Sequence, residues 1–284
     1  MDRKAYRLLP LAPALALFII FFIIPSVDSI VSSMHTNDGT FVGLDQYVTV
    51  FSSPEFGTVF SNTLMVAICS TTIAMILSIV FSLALRGTFI GKRMSLFMFQ
   101  LNSAFPHMSV AIMMVFLLAT WGYISTICYN IGVIENFFDF PKLVKGDSWI
   151  GTIISFSWKF APFIGLSIIS VLQSTSAEYE AQAATLGVGP LKRFVHITLP
   201  TIMPALVSTS LICFAYAFGS YEVPSMLSNN STMATYAYNR FNDPVYADIS
   251  NQSYVYCNII LLVSAIASIL YLIVSIPKKK RMVN

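Results

Sequence analysis

Long apolar runs alternate with shorter polar stretches along this 284-residue chain. The runs cover Leu8–Val31, Ser61–Leu85, Leu96–Trp121, Ser148–Gln173, Thr201–Leu227 and Tyr254–Ile276. A helix rises ~1.5 Å per residue and the bilayer hydrocarbon is ~30 Å thick, so each run is long enough to cross a membrane as a helix. The pattern predicts an all-α integral membrane protein of six transmembrane helices, a single domain over 1–284. Ser32–Phe60, Tyr123–Asp147 and Ser228–Ser253 form the loops on one side, the first with a short interfacial helix at Leu44–Phe51. On the other side lie the Arg86–Arg93 turn and a long polar stretch, Thr175–Pro204.

Polar residues inside the runs change the picture locally. Asn102, Pro106 and His107 make the first half of the third run face protein or water, not lipid. Lys159 sits mid-run in the fourth, Glu222 near the outer end of the fifth and Asn258 in the sixth. An ionised side chain at a bilayer centre costs about 2.5–3.5 kcal/mol on insertion scales, so such residues either pair inside the bundle or line a passage. Glu222, Tyr221, Lys159 and Asn102 are the candidates for a solute path, with His107 read as a packing residue.

Composition agrees with the pattern. Hydrophobic residues make up 56% and charged residues 10%, whereas a soluble domain carries about 25% charged residues. The basic start, Arg3, Lys4 and Arg7, followed by an apolar run, has the look of a secretory signal; with no small-residue cleavage site after it, we read an uncleaved first span. With the N-terminus inside, twelve basic residues are cytoplasmic: Arg3, Lys4, Arg7, Arg86, Lys92, Arg93, Lys192, Arg193, Lys278, Lys279, Lys280 and Arg281. Only Lys142, Lys145 and Arg240 are outside. The bias places both termini and the 175–204 stretch in the cytoplasm, and the basic tail reads as an anchor on anionic lipid, not a nucleic-acid site. Cys69, Cys128, Cys213 and Cys257 are read as small core residues. No CxxC, HExxH, GxSxG or Walker-type pattern is present, so nothing in the sequence points to a catalytic residue or a metal site.

The 175–204 stretch has its own internal order. Thr175 and Glu178 fit a capping box at a helix start. Ala177, Ala181 and Ala184 then fall on one small-residue face. Gly187 is placed to end the helix in a left-handed conformation, and Gly189-Pro190 to start another. Leu199-Pro200 and Pro204 are expected to redirect the chain into the fifth span. By spacing alone, a docking surface and an ordinary amphipathic loop remain equally open.

The stretch resembles the cytoplasmic coupling loop of membrane subunits of binding-protein-dependent ABC importers. That loop has a Glu-Ala-Ala core, a Gly six residues after the Glu, and Ile-x-Leu-Pro further on; Gly187 and Ile197-Thr198-Leu199-Pro200 match these distances. Trp158–Phe163 and Leu172-Gln173-Ser174 resemble the family's lead-in. One position departs: Ala181 stands where the family has its Glu, and Glu180 comes one residue early, about 100° away around a helix.

The resemblance implies the type I ABC importer transmembrane fold and a non-catalytic permease subunit in the cytoplasmic (inner) membrane of a bacterium. Implied partners are a dimer of ATPase subunits carrying ATP and Mg, a second permease chain that is distinct from this one, an extracytoplasmic substrate-binding protein and membrane lipid. The ATPase contact falls to Glu178, Glu180, Ala181, Ala184, Gly187, Leu199 and Pro200. No cofactor is implied in this chain. Phe218–Pro224 and the Thr185-Leu186-Gly187 sequence are similar to the spermidine/putrescine branch, which implies a polyamine solute held by Glu222 with Tyr216, Tyr221 and Phe218 around it. A sugar or other small solute is the alternative, and from another class a stand-alone secondary transporter or channel, which would not need the docking stretch.

Overall fold

A computed structural model describes residues 11–87, 89–173, 177–228 and 231–275, the side chains of 177–180 and 246–248 excepted. The basic N-terminal residues, the basic tail and Thr175, with its expected capping box, lie outside the described residues. Among the described residues the secondary structure is helical, and six helices are long and apolar enough to cross a membrane. Packing divides the chain into two units, Met1–Phe60 with Met233–Leu262 and Ser61–Thr232 with Val263–Asn284.

In the first unit, helix α1 (Ala12–Ser32) exposes nearly all of its apolar side chains. The expected interfacial helix is present as α2 (Asp45–Phe51). The amide of Asn258, on α11 (Gln252–Ser275), is the polar hub of this unit. Its Nδ2 lies 3.0 Å from Ser33 Oγ, 2.9 Å from Tyr47 OH and 3.3 Å from Ser29 O, while its Oδ1 accepts from Ser29 Oγ at 2.8 Å. An amide inside a span is retained when every donor and acceptor is engaged in this way.

The second unit is built around α7 (Ile150–Val171), the long helix with the largest buried share. Against it lies α3, which begins at Pro54, seven residues before the expected start, and ends at Ala84. Proline is tolerated in a first turn, so Pro54 opens this helix instead of excluding it. The two helices approach through small residues. Ser157 Oγ donates to Ser70 O (3.2 Å), Ser78 Oγ to Ala161 O (2.8 Å) and Ser82 Oγ to Gly165 O (3.1 Å). Ser70, Ser78 and Ser82, with Ala74, form one row on α3, and Ser157, Ala161 and Gly165 form one on α7, each stepping by four residues or multiples of it. Small side chains at that step let two backbones come close enough for hydroxyl-to-carbonyl bonds, which is how helices associate where no hydrophobic drive exists between them.

Two expected spans are interrupted. The third expected run, Leu96–Trp121, is divided between α4 (Lys92–Ala104) and α5 (His107–Leu118), with Phe105 and Pro106 extended between them. The stretch apolar and long enough to cross is His107–Asn130, which joins α5 to α6 (Tyr123–Asn130), a segment the sequence reading places in an outside loop. The fifth, α9 (Pro190–Gly219), stops at an extended Ser220, and Glu222–Leu227 forms a separate helix, α10. The start of α9 also differs from expectation. Leu199-Pro200 and Pro204 do not redirect the chain; the helix passes through both. A π-helical turn at Phe194–Thr198 precedes Pro200, as one at Ile19–Ile23 precedes Pro25. A proline ring clashes with the carbonyl four residues earlier, and the wider turn moves that carbonyl aside without breaking the helix.

A Cβ at Gly165 would lie 2.7 Å from the Phe99 ring and 3.4 Å from Ser82 Oγ. Gly165→Leu is therefore expected to destabilise the bundle by ~1–3 kcal/mol, read as a lower apparent midpoint of thermal unfolding in detergent. An unchanged midpoint would contradict close packing of α3, α4 and α7.

Candidate functional site

Two prolines organise the centre of the second unit. Pro106 lacks the amide hydrogen that would bond the carbonyl of Asn102, and the chain leaves the helix there. Lys159, on α7 and only 6% exposed, donates from Nζ to Asn102 O (2.8 Å), Ser103 O (3.1 Å) and Phe105 O. Pro162, inside α7, removes the amide that would bond Trp158 O. Asn102 Nδ2 donates to that oxygen at 2.7 Å. Each helix thus loses a donor to a proline and receives one from a side chain of the other. The ammonium also sits at the carbonyl end of α4, where the helix dipole favours positive charge. Lys159 and Asn102, both candidates for a solute path, are joined in this exchange.

Glu222 and Tyr216 meet on the neighbouring side of the same unit. Glu222 is exposed in the first turn of α10, and Tyr216 OH lies 3.4 Å from its Oε2. The Tyr216 ring stacks on His107 at 4.1 Å between centroids, and Phe160 meets both rings edge-on at 6.1–6.3 Å. His107 is the first residue of α5, immediately after the Pro106 break, so the proline exchange and this cluster adjoin. The sequence reading gave His107 a packing role, and its contacts with the Tyr216 and Phe160 rings are of that kind. Tyr221, half-buried, precedes α10. Phe218 does not surround Glu222 as expected: it is fully buried in the core. Lys145, which the sequence does not single out, anchors α10. Its backbone amide donates to Leu227 O (2.8 Å) and its Nζ to Ser225 O (2.6 Å), with Lys145 itself at φ +53°.

The candidate coupling segment forms a helix, α8 (Ala177–Thr185), that carries Glu178, Glu180, Ala181 and Ala184. Its end is a Schellman motif: Val188 N–H donates to Ala183 O and Gly187 N–H to Ala184 O, each at 3.0 Å, with Gly187 at φ +76°. The left-handed conformation is the reason for glycine there. Gly189 is extended and Pro190 opens α9, as expected. Ala181 and Ala184 are exposed, and so are Leu186 (83%) and Leu191 (75%), two leucines whose presentation the sequence reading did not anticipate. Leu199, half-buried, and Pro200, exposed, stand about two helical turns beyond Leu191, past the π turn.

Comparison with known proteins gives a consistent result. A family model described as the binding-protein-dependent transport system inner membrane component matches residues 74–278. The sn-glycerol-3-phosphate transport system permease protein UgpA of Escherichia coli O6:K15:H31 is 26% identical over 213 residues, which cover 73% of this chain and 71% of that protein. The spermidine/putrescine transport system permease protein PotC homolog of Mycoplasma genitalium is 26% identical over 187 residues, covering 65% and 59%. Among solved structures, a chain of a bacterial ABC transporter for import of the acidic polysaccharide alginate superposes with a TM-score of 0.74 at 20% identity, covering 97% of each chain. A chain of the MetNI methionine ABC transporter gives 0.52 at 13% identity, covering 78% and 99%.

Lys159→Met leaves three carbonyls without their donor, at ~1–3 kcal/mol for each buried polar group left unsatisfied. The expected outcome is a lower thermal midpoint together with reduced transport, partly restored by Lys159→Arg. Unchanged stability with a weaker apparent affinity for solute would place Lys159 in the solute path instead.

Proposed function

The chain belongs to the family of binding-protein-dependent transport system inner membrane components, the non-catalytic permeases of type I ABC importers, and on that premise we propose how it couples and what it carries. In this reading, α8 and the exposed surface around Gly187 dock into a cleft of a separate ATPase subunit, which binds ATP and Mg. Glu180 or Glu178 supplies the carboxylate that Ala181 lacks. A second, distinct permease chain completes the path, and an extracytoplasmic binding protein delivers the solute, as the alginate transporter crystallised with its periplasmic protein illustrates for that system.

The observation that carries this reading is the continuity of α9. It runs unbroken from Pro190, two residues after the Schellman motif, to Gly219, and Tyr216 near its far end meets Glu222. Thirty residues of helix span roughly 45 Å. A displacement imposed at α8 therefore reaches the Glu222 cluster through one rigid element, the kind of physical link that coupling between distant sites requires. Gly187→Trp places a bulky residue at φ +76° and is expected to lower uptake at least tenfold while membrane insertion and ATP hydrolysis persist. Gly187→Asn, which tolerates the left-handed region, should retain most uptake. Equal uptake in both variants and the parent would argue against the coupling role.

For the solute, an exposed carboxylate flanked by Tyr216 and Tyr221 suits a cationic amine, by charge and by attraction to aromatic faces. A polyamine is the reading these residues favour. The similarity to a glycerol-3-phosphate permease supports a second one, a sugar-like or phosphorylated polyol solute. Uptake of radiolabelled putrescine and glycerol-3-phosphate, in cells whose other importers for each are deleted, separates them. The polyamine reading predicts putrescine uptake whose apparent affinity falls about tenfold in Glu222→Gln, the order of one lost charge contact. Uptake of glycerol-3-phosphate alone, indifferent to Glu222, would overturn it.

A further inference from the structure

Helices α3, α4 and α7 enclose a groove of about 520 Å³ whose walls include Leu77, Phe81, Phe89, Met98, Phe99 and Trp158. The volume falls in the range of small-molecule sites. Leu85 lines this groove and also a second pocket of about 220 Å³, lined by Ser82, Arg86, Lys92 and Gln173. Lys92 Nζ donates to Arg86 O at 3.2 Å, which fixes the lysine side chain back over the turn. Both cations belong to the turn that the charge asymmetry assigns to the cytoplasmic face. Phe89 and Ile90, at the same turn, are exposed.

We propose that this pair of cavities binds one anionic phospholipid of the cytoplasmic leaflet, with an acyl chain in the apolar groove and the phosphate against Arg86 and Lys92. The charge pattern selects this occupant. An apolar helix from another subunit would fill the groove but bring no anion to the cations. A soluble anion would meet the cations but leave the apolar groove open. A membrane-embedded molecule with an apolar tail and an anionic head satisfies both, and basic pockets between helices on the cytoplasmic side hold such head groups. Asn102, Trp158 and Pro162, residues of the proline exchange, also line the groove. Lipid in the groove supports the wall on which that exchange is built, so the bound lipid is a structural component of the bundle. The proposal does not depend on the identity of the solute.

The test uses the assembled importer in nanodiscs of equal parts phosphatidylglycerol and phosphatidylcholine, followed by native mass spectrometry of the released complex. One phosphatidylglycerol per copy of this chain is expected to remain bound in preference to phosphatidylcholine. R86Q/K92Q, which removes both charges, should reduce its retention roughly tenfold or more. M98W, which fills the groove and leaves the cations in place, should also reduce it, whereas a head-group-only site would be indifferent to that change. Recovery of each variant in complex with its partner subunits confirms that it folds. Equal retention of the two lipids, retention unaffected by R86Q/K92Q or by M98W, or a groove sealed by a crosslinked helix of a partner subunit with no lipid retained would each overturn the proposal.

Discussion

The second unit depends on an exchange of hydrogen bonds across two prolines. In a membrane every backbone carbonyl needs an internal donor, because no water is present to serve it. Pro106 and Pro162 each remove one. Lys159 and Asn102 replace them across the α4–α7 contact. A lysine in the middle of a span is costly in lipid, and here its three donors match a helix end that offers three carbonyls. The result is a break between α4 and α5 that is firmly held yet not helical, with His107 starting α5 and the third span directly behind it. Three serine hydroxyls, Ser78 and Ser82 from α3 and Ser157 from α7, join these two helices along another side.

Proline has three different consequences in this chain, and the partner decides which. Pro106 ends a helix, and a side chain caps the end. Pro162 stays inside a helix, because Asn102 supplies the missing donor. Pro25 and Pro200 each follow a π turn, and their helices continue. The last outcome matters for the proposed coupling: had Pro200 broken α9, no single helix would link α8 to Tyr216.

Much of this was legible in the sequence because it follows from local rules. Six spans, the α2 helix and the left-handed Gly187 come from hydrophobic length, amphipathic pattern and conformational preference, and all are present, though the third span lies at His107–Asn130, further along the chain than the expected Leu96–Trp121. The breaks at Phe105 and Ser220 were not read, since an apolar run gives no sign of where its hydrogen bonds go. The fate of Leu199-Pro200 was misjudged for a related reason: the π turn that lets the helix pass Pro200 has no sequence mark of its own. The exchange between Lys159 and Asn102 joins residues 57 apart, a pairing that no local pattern encodes. Phe218 turns into the core because helical phase near a span's end decides which ring is buried, whereas His107 packs on Tyr216 and Phe160 in keeping with the packing role read from the sequence.

The central claim is that α9 behaves as one rigid element between the coupling segment and the Glu222 cluster. Spin labels at Leu191 and Ile212, both exposed, lie roughly 30 Å apart along it, within reach of pulsed electron–electron distance measurement. In the assembled importer the account predicts one narrow distance that is the same in the absence of nucleotide and with ATP bound. A distance that shortens or broadens on ATP binding would mean that the helix bends at its π turn, and would contradict the account.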